Sequence, residues 1–297
     1  MSEKYEYMSM ISLGMVKEKL PCRYKDSHKG TFGTMLCISG SRGMVGAGIF
    51  PVLAALKSGV GLVRAMMIKS LYEIVSKDVL EPIYIPLEEN FEGTVCEKEI
   101  SKINQNLCKC NSVVVGCGIG WNEDSKKIVE EVIKNSEVPV IIDADGINVI
   151  SENINVLKCS KSDIILTPHI KEFSRLSGKS IDEINADKIQ ISTDFAKEYG
   201  ATLVLKGHST NVISKKGDVY VNPTGNAGMA KGGSGDVLAG MIGSFLAQKL
   251  SPLDAALCAV YLHGLCADRC AEKTSKTSML PTDIINELPS LFTEIEK

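Results

Sequence analysis

The residues best suited to chemistry in this sequence run from Asn222 to Asp236, Asn-Pro-Thr-Gly-Asn-Ala-Gly-Met-Ala-Lys-Gly-Gly-Ser-Gly-Asp. Gly232, Gly233 and Gly235 leave the backbone bare ahead of an apolar run that reads as a helix over 236–248. Unpaired N–H groups at a helix start, aided by the helix dipole, form an anion site. A phosphoryl group fits there. Asp236 stands at the start of that helix, where a carboxylate can take a proton from a substrate hydroxyl while a phosphoryl group is transferred. A plain turn with Asp236 as N-cap would not require fifteen residues of this composition before the helix.

Such a loop needs a frame. From Thr34 onward, short β-rich runs alternate with amphipathic segments. The expected strands are 34–39, 62–67, 112–115, 139–143, 163–167 and 201–206. The expected helices are 46–58, 123–135, 181–199, 236–248 and 253–273. Runs 211–214 and 218–221 read as a hairpin turned by Gly217. Alternation of this kind argues for an α/β fold, with a mostly parallel sheet and helices on both faces. Residues 1–27 lack a clear pattern and read as an N-terminal extension holding one helix, ahead of a single domain over 28–297. Five unusual segments begin where an expected strand ends: 40–46, 116–120, Asp143-Ala144-Asp145, Thr167-Pro168-His169 and Lys206-Gly207-His208-Ser209-Thr210. Ligands bind at the carboxyl ends of strands in open α/β sheets, so these five loops should line one cleft.

Composition narrows the class. The chain has 297 residues, 44% hydrophobic and 23% charged, with a net charge of −3. It shows no basic excess for nucleic acid or anionic lipid. No apolar run reaches membrane-span length, and the N-terminus lacks the layout of a signal peptide. The ten cysteines are scattered without a CxxC pair. The expected compartment is therefore the reducing cytoplasm, without disulfides. Their spacing matches no common metal site. A Walker A sequence is absent, and Gly116-Cys-Gly-Ile-Gly120 is not a dinucleotide fingerprint.

Together these segments resemble the ADP- or ATP-dependent (S)-NAD(P)H-hydrate dehydratase family of the ribokinase-like superfamily. The resemblance rests on His28-Lys-Gly-Thr-Phe-Gly33, Gly40–Gly46 with Ala47, Gly116–Gly120 and Asp143-Ala-Asp-Gly-Ile-Asn148. It continues through Leu166-Thr-Pro-His-Ile-Lys-Glu172, Lys206–Thr210, Asn222–Gly240 and Ala259-Val-Tyr-Leu-His-Gly264. The segments come in the family's order and span 28–285. Cys117 stands where the family usually has proline, Lys171 where glycine is common and Ser234 where threonine is frequent; none of these removes a group the chemistry needs.

The resemblance implies that ATP or ADP phosphorylates the hydroxyl of a hydrated nicotinamide ring, after which phosphate leaves and NADH or NADPH is restored. It implies Asp236 as the base, with Gly233, Ser234 and Gly235 holding the transferring phosphate. Lys206, Gly207, His208, Ser209, Thr210 and Gly235 would contact the nucleotide. Ala47, Gly118, Gly120, His169 and Asp145 would contact the hydrated dinucleotide together with Asp236. Asp143 and Asp145, two apart on an extended segment, should point to one side; Asp145 either caps the next turn or reaches substrate or a magnesium-bound water. Magnesium is expected with the nucleotide, with no dedicated ligand set assigned. His28 and His263 read as structural, and Glu172 as a solvated carboxylate at a helix start. The resemblance further implies a homo-oligomer, and an epimerase partner on a separate protein, because 27 residues before His28 are too few for that domain. Two rival readings share parts of the pattern: a small-molecule kinase acting on a substrate such as hydroxyethylthiazole, and a silent nucleotide-binding sensor. An intact Asp236 opposes the second.

Overall fold

The computed structural model describes residues 8–297. Among these residues the strands are β1 Met8–Met10, β2 Thr34–Ile38, β3 Leu62–Ile68, β4 Ile83–Leu87, β5 Ser112–Val115, β6 Val140–Ile142, β7 Ile164–Leu166, β8 Ala201–Leu205, β9 Asn211–Ile213 and β10 Val219–Val221. The helices are α1 Leu13–Lys19, α2 Val45–Lys57, α3 Lys69–Val75, α4 Ile100–Leu107, α5 Glu123–Asn135, α6 Asp145–Ile150, α7 Ile170–Ser177, α8 Ile181–Ala186, α9 Lys188–Tyr199, α10 Ser234–Ala247, α11 Pro252–Lys273 and α12 Pro281–Ile295.

All ten strands form one sheet in the order β1-β10-β9-β8-β7-β6-β5-β2-β3-β4. The run from β8 to β4 is parallel throughout. Every residue of β5, β6, β7 and β8 is buried. Strands buried on both faces read as continuous apolar runs, as helix-covered parallel strands do. The sequence supplies that pattern as Val113-Val-Val115, Val140-Ile-Ile142 and Ile164-Ile-Leu166. Chain direction across the sheet reverses between β2 and β5, the position where α/β sheets open a ligand crevice.

The strongest constraint on that crevice is α10. Twelve of its residues, Ser234 and Val237–Ala247, are buried, so its apolar character extends around the helix. It packs on α2 and α11 and crosses β5, β2 and β6. Gly240 permits this: a methyl there would lie 2.2 Å from the Pro51 carbonyl oxygen. The start of α10 is thereby anchored beside the crevice.

The expected strands all appear: 112–115 keeps its bounds, 62–67 extends to Ile68, and the other four are shorter at one or both ends. The hairpin forms as β9 and β10, antiparallel, with Gly217 at φ +98°. The 181–199 helix is interrupted at Asp187 (φ −143°, ψ 51°), giving α8 and α9. Two edge strands lack an anticipated signal. Pro86 sits inside β4, which an edge strand tolerates because one side of its backbone needs no partner. β1 is three residues long and pairs with β10. Residues 8–27 of the expected extension thus add this strand and α1, whose Val16 is fully buried; residues 1–7 lie outside the described residues. None of the helices among the described residues is long and apolar enough to cross a membrane.

Candidate active site

Gly233, at φ +100°, is the residue before α10. This left-handed backbone is open to glycine, and a methyl there would lie 2.5 Å from the Phe50 ring. The helix therefore begins at Ser234, earlier than expected, and Asp236 is its third residue rather than its cap. The N–H groups of Gly235 and Asp236 have no protein acceptor among the described residues, as first-turn donors of a helix do. Ser234 Oγ is buried and has no hydrogen-bond partner. Burial, and then the negative charge of Asp143, push the Asp236 carboxyl up to about 6. A carboxylate in that range holds and releases a proton near neutrality.

Asp143, at the end of β6, is 1% exposed. Its Oδ1 accepts from Thr167 Oγ1 at 2.7 Å and from Lys206 Nζ at 2.8 Å. Three strand ends, those of β6, β7 and β8, thus meet on one carboxylate. Burial alone would lower the Lys206 ammonium, but Asp143 and Glu172 outweigh it and hold the group above its ordinary value. Lys206 Nζ would be 3.1 Å from a methyl placed on Gly235, so a permanent positive charge stands at the glycine cradle.

Asp143 and Asp145 take different partners, although both act on Asp236. Ala144 adopts φ +50°, ψ −119°, which ends the extended segment and starts α6. Asp145 Oδ2 instead accepts from Gly120 N at 3.0 Å. Glu172 is also not solvated: it is 5% exposed, and its Oε2 accepts from His169 N at 2.7 Å. His169 Nδ1 accepts from the N–H groups of Lys171 and Glu172, both at 3.1 Å. That capping box places the ring proton on Nε2, which lies 3.4 Å from Glu172 Oε1. Burial, then the Lys206 charge, lower the His169 imidazole below its usual range. His169 is thus a neutral side chain fixed at the mouth of the site.

Asp143, His169, Lys206, Gly207, His208, Thr210 and Gly233–Asp236 line one cavity of about 1000 Å³. Ser209 is off its wall, beside His208 at 3.3 Å. Ala47, Gly118, Gly120 and Asp145 form a separate wall at the β2–β5 switch point, where Gly40 N donates to Cys117 O at 2.8 Å. A methyl on Gly118 would lie 2.5 Å from Ala47 Cβ. The walls are linked electrostatically, because Asp145 also raises the Asp236 carboxyl.

Three features of the site lack a local signal in sequence. Asp268, in α11, accepts from Gly225 N at 2.8 Å and from Asn226 Nδ2 at 2.9 Å, holding the loop that leads to the glycines. His263, in the same helix, faces the cavity. Cys117, Asp143 and Asp236 bring one ligand atom each to within 4.8 Å of one another. This trio does not fit a resident magnesium ion. Burial holds the Cys117 thiol well above its ordinary value, hence protonated, and Lys206 already neutralises Asp143. Magnesium prefers oxygen ligands and arrives with phosphates and water.

Residues 35–290 match the NAD(P)H-hydrate dehydratase family. The chain is 33% identical over 288 residues to a bifunctional NAD(P)H-hydrate repair enzyme of Moorella thermoacetica, covering 97% of this chain and 54% of that one. It is 31% identical to an ADP-dependent (S)-NAD(P)H-hydrate dehydratase of Bacillus subtilis, covering 95% and 96%. The chain spans about half the length of the first of these curated relatives. A crystal structure of the B. subtilis ADP/ATP-dependent NAD(P)H-hydrate dehydratase, co-crystallised with ATP and Mg2+, superposes with a TM-score of 0.84 at 29% identity, covering 97% and 99%. A hydroxyethylthiazole kinase of Pyrococcus horikoshii shares the fold at a TM-score of 0.58 and 15% identity. The ribokinase-like sheet and the family match over residues 35–290 place this chain in the NAD(P)H-hydrate dehydratase family.

Proposed function

We propose that this protein uses ADP or ATP to dehydrate the S form of hydrated NADH and NADPH. The observation that carries the reading is Asp236, a carboxyl poised at about 6 in the first turn of α10, beside unpaired N–H groups and the Lys206 ammonium. The nucleotide occupies the cavity walled by Lys206, Gly207, His208, Thr210 and Gly233–Asp236, with Ser209 behind it. The hydrated dinucleotide lies along Ala47, Gly118, Gly120, Asp145 and His169.

Asp236 takes the proton of the ring hydroxyl as its oxygen attacks the terminal phosphorus of the donor. The bond to the shortened nucleotide breaks, and the phosphoryl group passes to the hydroxyl oxygen. The N–H groups of Gly235 and Asp236 and the Lys206 charge stabilise the negative charge that develops. Phosphate is a far better leaving group than hydroxide. The ring C–O bond then breaks with its electron pair, a proton leaves the neighbouring carbon, and the ring double bond returns. Magnesium, when bound, offsets charge on the donor phosphates. The substrates are soluble cofactors, consistent with a cytoplasmic protein. Family resemblance also supports homo-oligomerisation and functional pairing with an NAD(P)H-hydrate epimerase.

Incubation with hydrated NADH and either nucleotide tests the reading. Each NADH restored, followed by absorbance, should accompany one nucleotide consumed and one phosphate released. Nucleotide alone should release little, because water must be kept from the donor. Accumulation of a phosphorylated organic product would replace this reading with a small-molecule kinase, and equal phosphate release without hydrated cofactor would replace it with a hydrolase.

A further inference from the structure

His263 lies midway along α11 and is 4% exposed, yet its Nε2 has no hydrogen-bond partner. A buried polar atom left unpaired is costly, and native proteins rarely keep one without a reason. His263 is on the wall of the large cavity, with Val260 and Gly264 of the same helix. Its position is held closely. Thr224 Oγ1 donates to the Tyr261 carbonyl at 2.8 Å, and Asn222 Nδ2 lies 3.4 Å from the Val260 carbonyl oxygen. A methyl on Gly264 would lie 2.3 Å from Thr224 Oγ1. The loop that leads to the glycine cradle is thus packed against the turn of α11 that bears His263. Burial, and then the nearby Lys206 charge, push the imidazole down to about 4, so the ring is neutral at physiological pH.

We propose that His263 is a nucleotide-binding residue, whose Nε2–H donates to an oxygen of the ribose–phosphate chain of the phosphoryl donor. The proposal rests on the assignment of this cavity to the nucleotide. Two observations select that ligand over the hydrated dinucleotide. The cavity around His263 is walled mainly by Lys206, Thr210 and the glycine loop; of the residues assigned to the dinucleotide, His169 and Asp236 reach it, whereas Ala47, Gly118 and Gly120 lie off it. The side chain is also near enough to Lys206 for that charge to act on it, which places it toward the phosphate end. A neutral imidazole gives a directional donor there without adding a second fixed charge to the one Lys206 supplies.

The test separates a ligand-reading histidine from a structural one. ADP is titrated calorimetrically into the wild type, His263→Leu and His263→Gln, and the melting temperature of each free protein is measured. His263→Leu should weaken ADP binding about tenfold or more, the effect of a lost hydrogen bond to a charged group. Its free-protein melting temperature should hold or rise, because the unpaired buried atom is gone. His263→Gln, which keeps an N–H donor, should recover much of the affinity. In the wild type, labelled with 15N in its four histidines, ADP should shift the Nε2 resonance of His263. Unchanged ADP affinity in His263→Leu overturns the proposal, as does a lowered melting temperature with no rescue by glutamine. An Nε2 resonance unmoved at saturating ADP overturns it without any variant. Failure of the wild type itself to bind ADP would instead overturn the assignment of the cavity.

Discussion

Lys206 Nζ lies 2.8 Å from Asp143 Oδ1, tying the carboxyl end of β8 to that of β6 across the intervening β7. Asp143 is 1% exposed and Lys206 about a fifth. Removing one partner of a buried pair costs roughly 3–5 kcal/mol because the other charge is stranded. The partial exposure of Lys206 reduces this, so Lys206→Met should destabilise the protein by about 2 kcal/mol in urea unfolding. Adding Asp143→Asn should restore part of that loss. If the two losses simply add, the pair is not coupled.

Asp236 sets the acid limb of activity. It acts as a base only when deprotonated, so kcat/KM should fall as pH drops through about 6. Asp143→Asn removes the negative charge that raises Asp236, and it also frees Lys206 to attract the carboxylate. Both effects lower the Asp236 value, so the limb should move to lower pH in that variant. A pH–rate profile that is unmoved would assign the limb to another group.

Asp236→Asn should reduce turnover by about 10²–10⁴-fold, the usual contribution of a general base, with ADP still bound. The same substitution has a stability signature. A carboxyl whose folded value is raised, here from 3.8 to about 6, contributes its stabilisation below the unfolded value and loses it as pH rises through the folded one. At pH 8 the buried charge is therefore a cost of at most about 3 kcal/mol, partly relieved by the solvent that reaches Asp236. The asparagine variant should gain stability over wild type on going from pH 4 to pH 8, in denaturant melts at both values. Equal gains at both would show that Asp236 is not strained when charged.

Much of this site was legible because its parts fall at strand ends. Alternating apolar runs located β5 to β8, and parallel pairing brought Gly116–Gly120, Asp143, His169 and Lys206 to one edge without knowledge of any distance. The composition of Asn222–Asp236 marked the glycine-rich entry to α10. The orientation of side chains was not legible. That Asp145 starts a helix and meets Gly120 N, while Asp143 meets Lys206, follows the positive φ at Ala144, an uncommon state for alanine. That Glu172 is buried depends on its return bond to His169 N. Asp268 is an ordinary helix residue in sequence, and His263, though inside the 259–264 segment, reads there as structural; both gain their place only when the 222–226 loop packs on α11.

The two walls should be separable by kinetics. Thr210, at the base of the Lys206–Thr210 loop, faces the cavity, and its carbonyl accepts from Asn222 N at 2.9 Å. Its side chain is partly exposed, so a larger one can enter the cavity without disturbing β9. Thr210→Phe should therefore raise KM for ADP or ATP several-fold and change KM for hydrated NADH much less. Ala47 lies off that cavity, where Gly118 already approaches it closely. Ala47→Val adds bulk at that contact and should raise KM for hydrated NADH with a smaller effect on the nucleotide. Steady-state kinetics with each substrate varied in turn decides the matter. Equal effects on both constants in either variant would indicate general distortion. Reversed effects would exchange the two ligands between the walls.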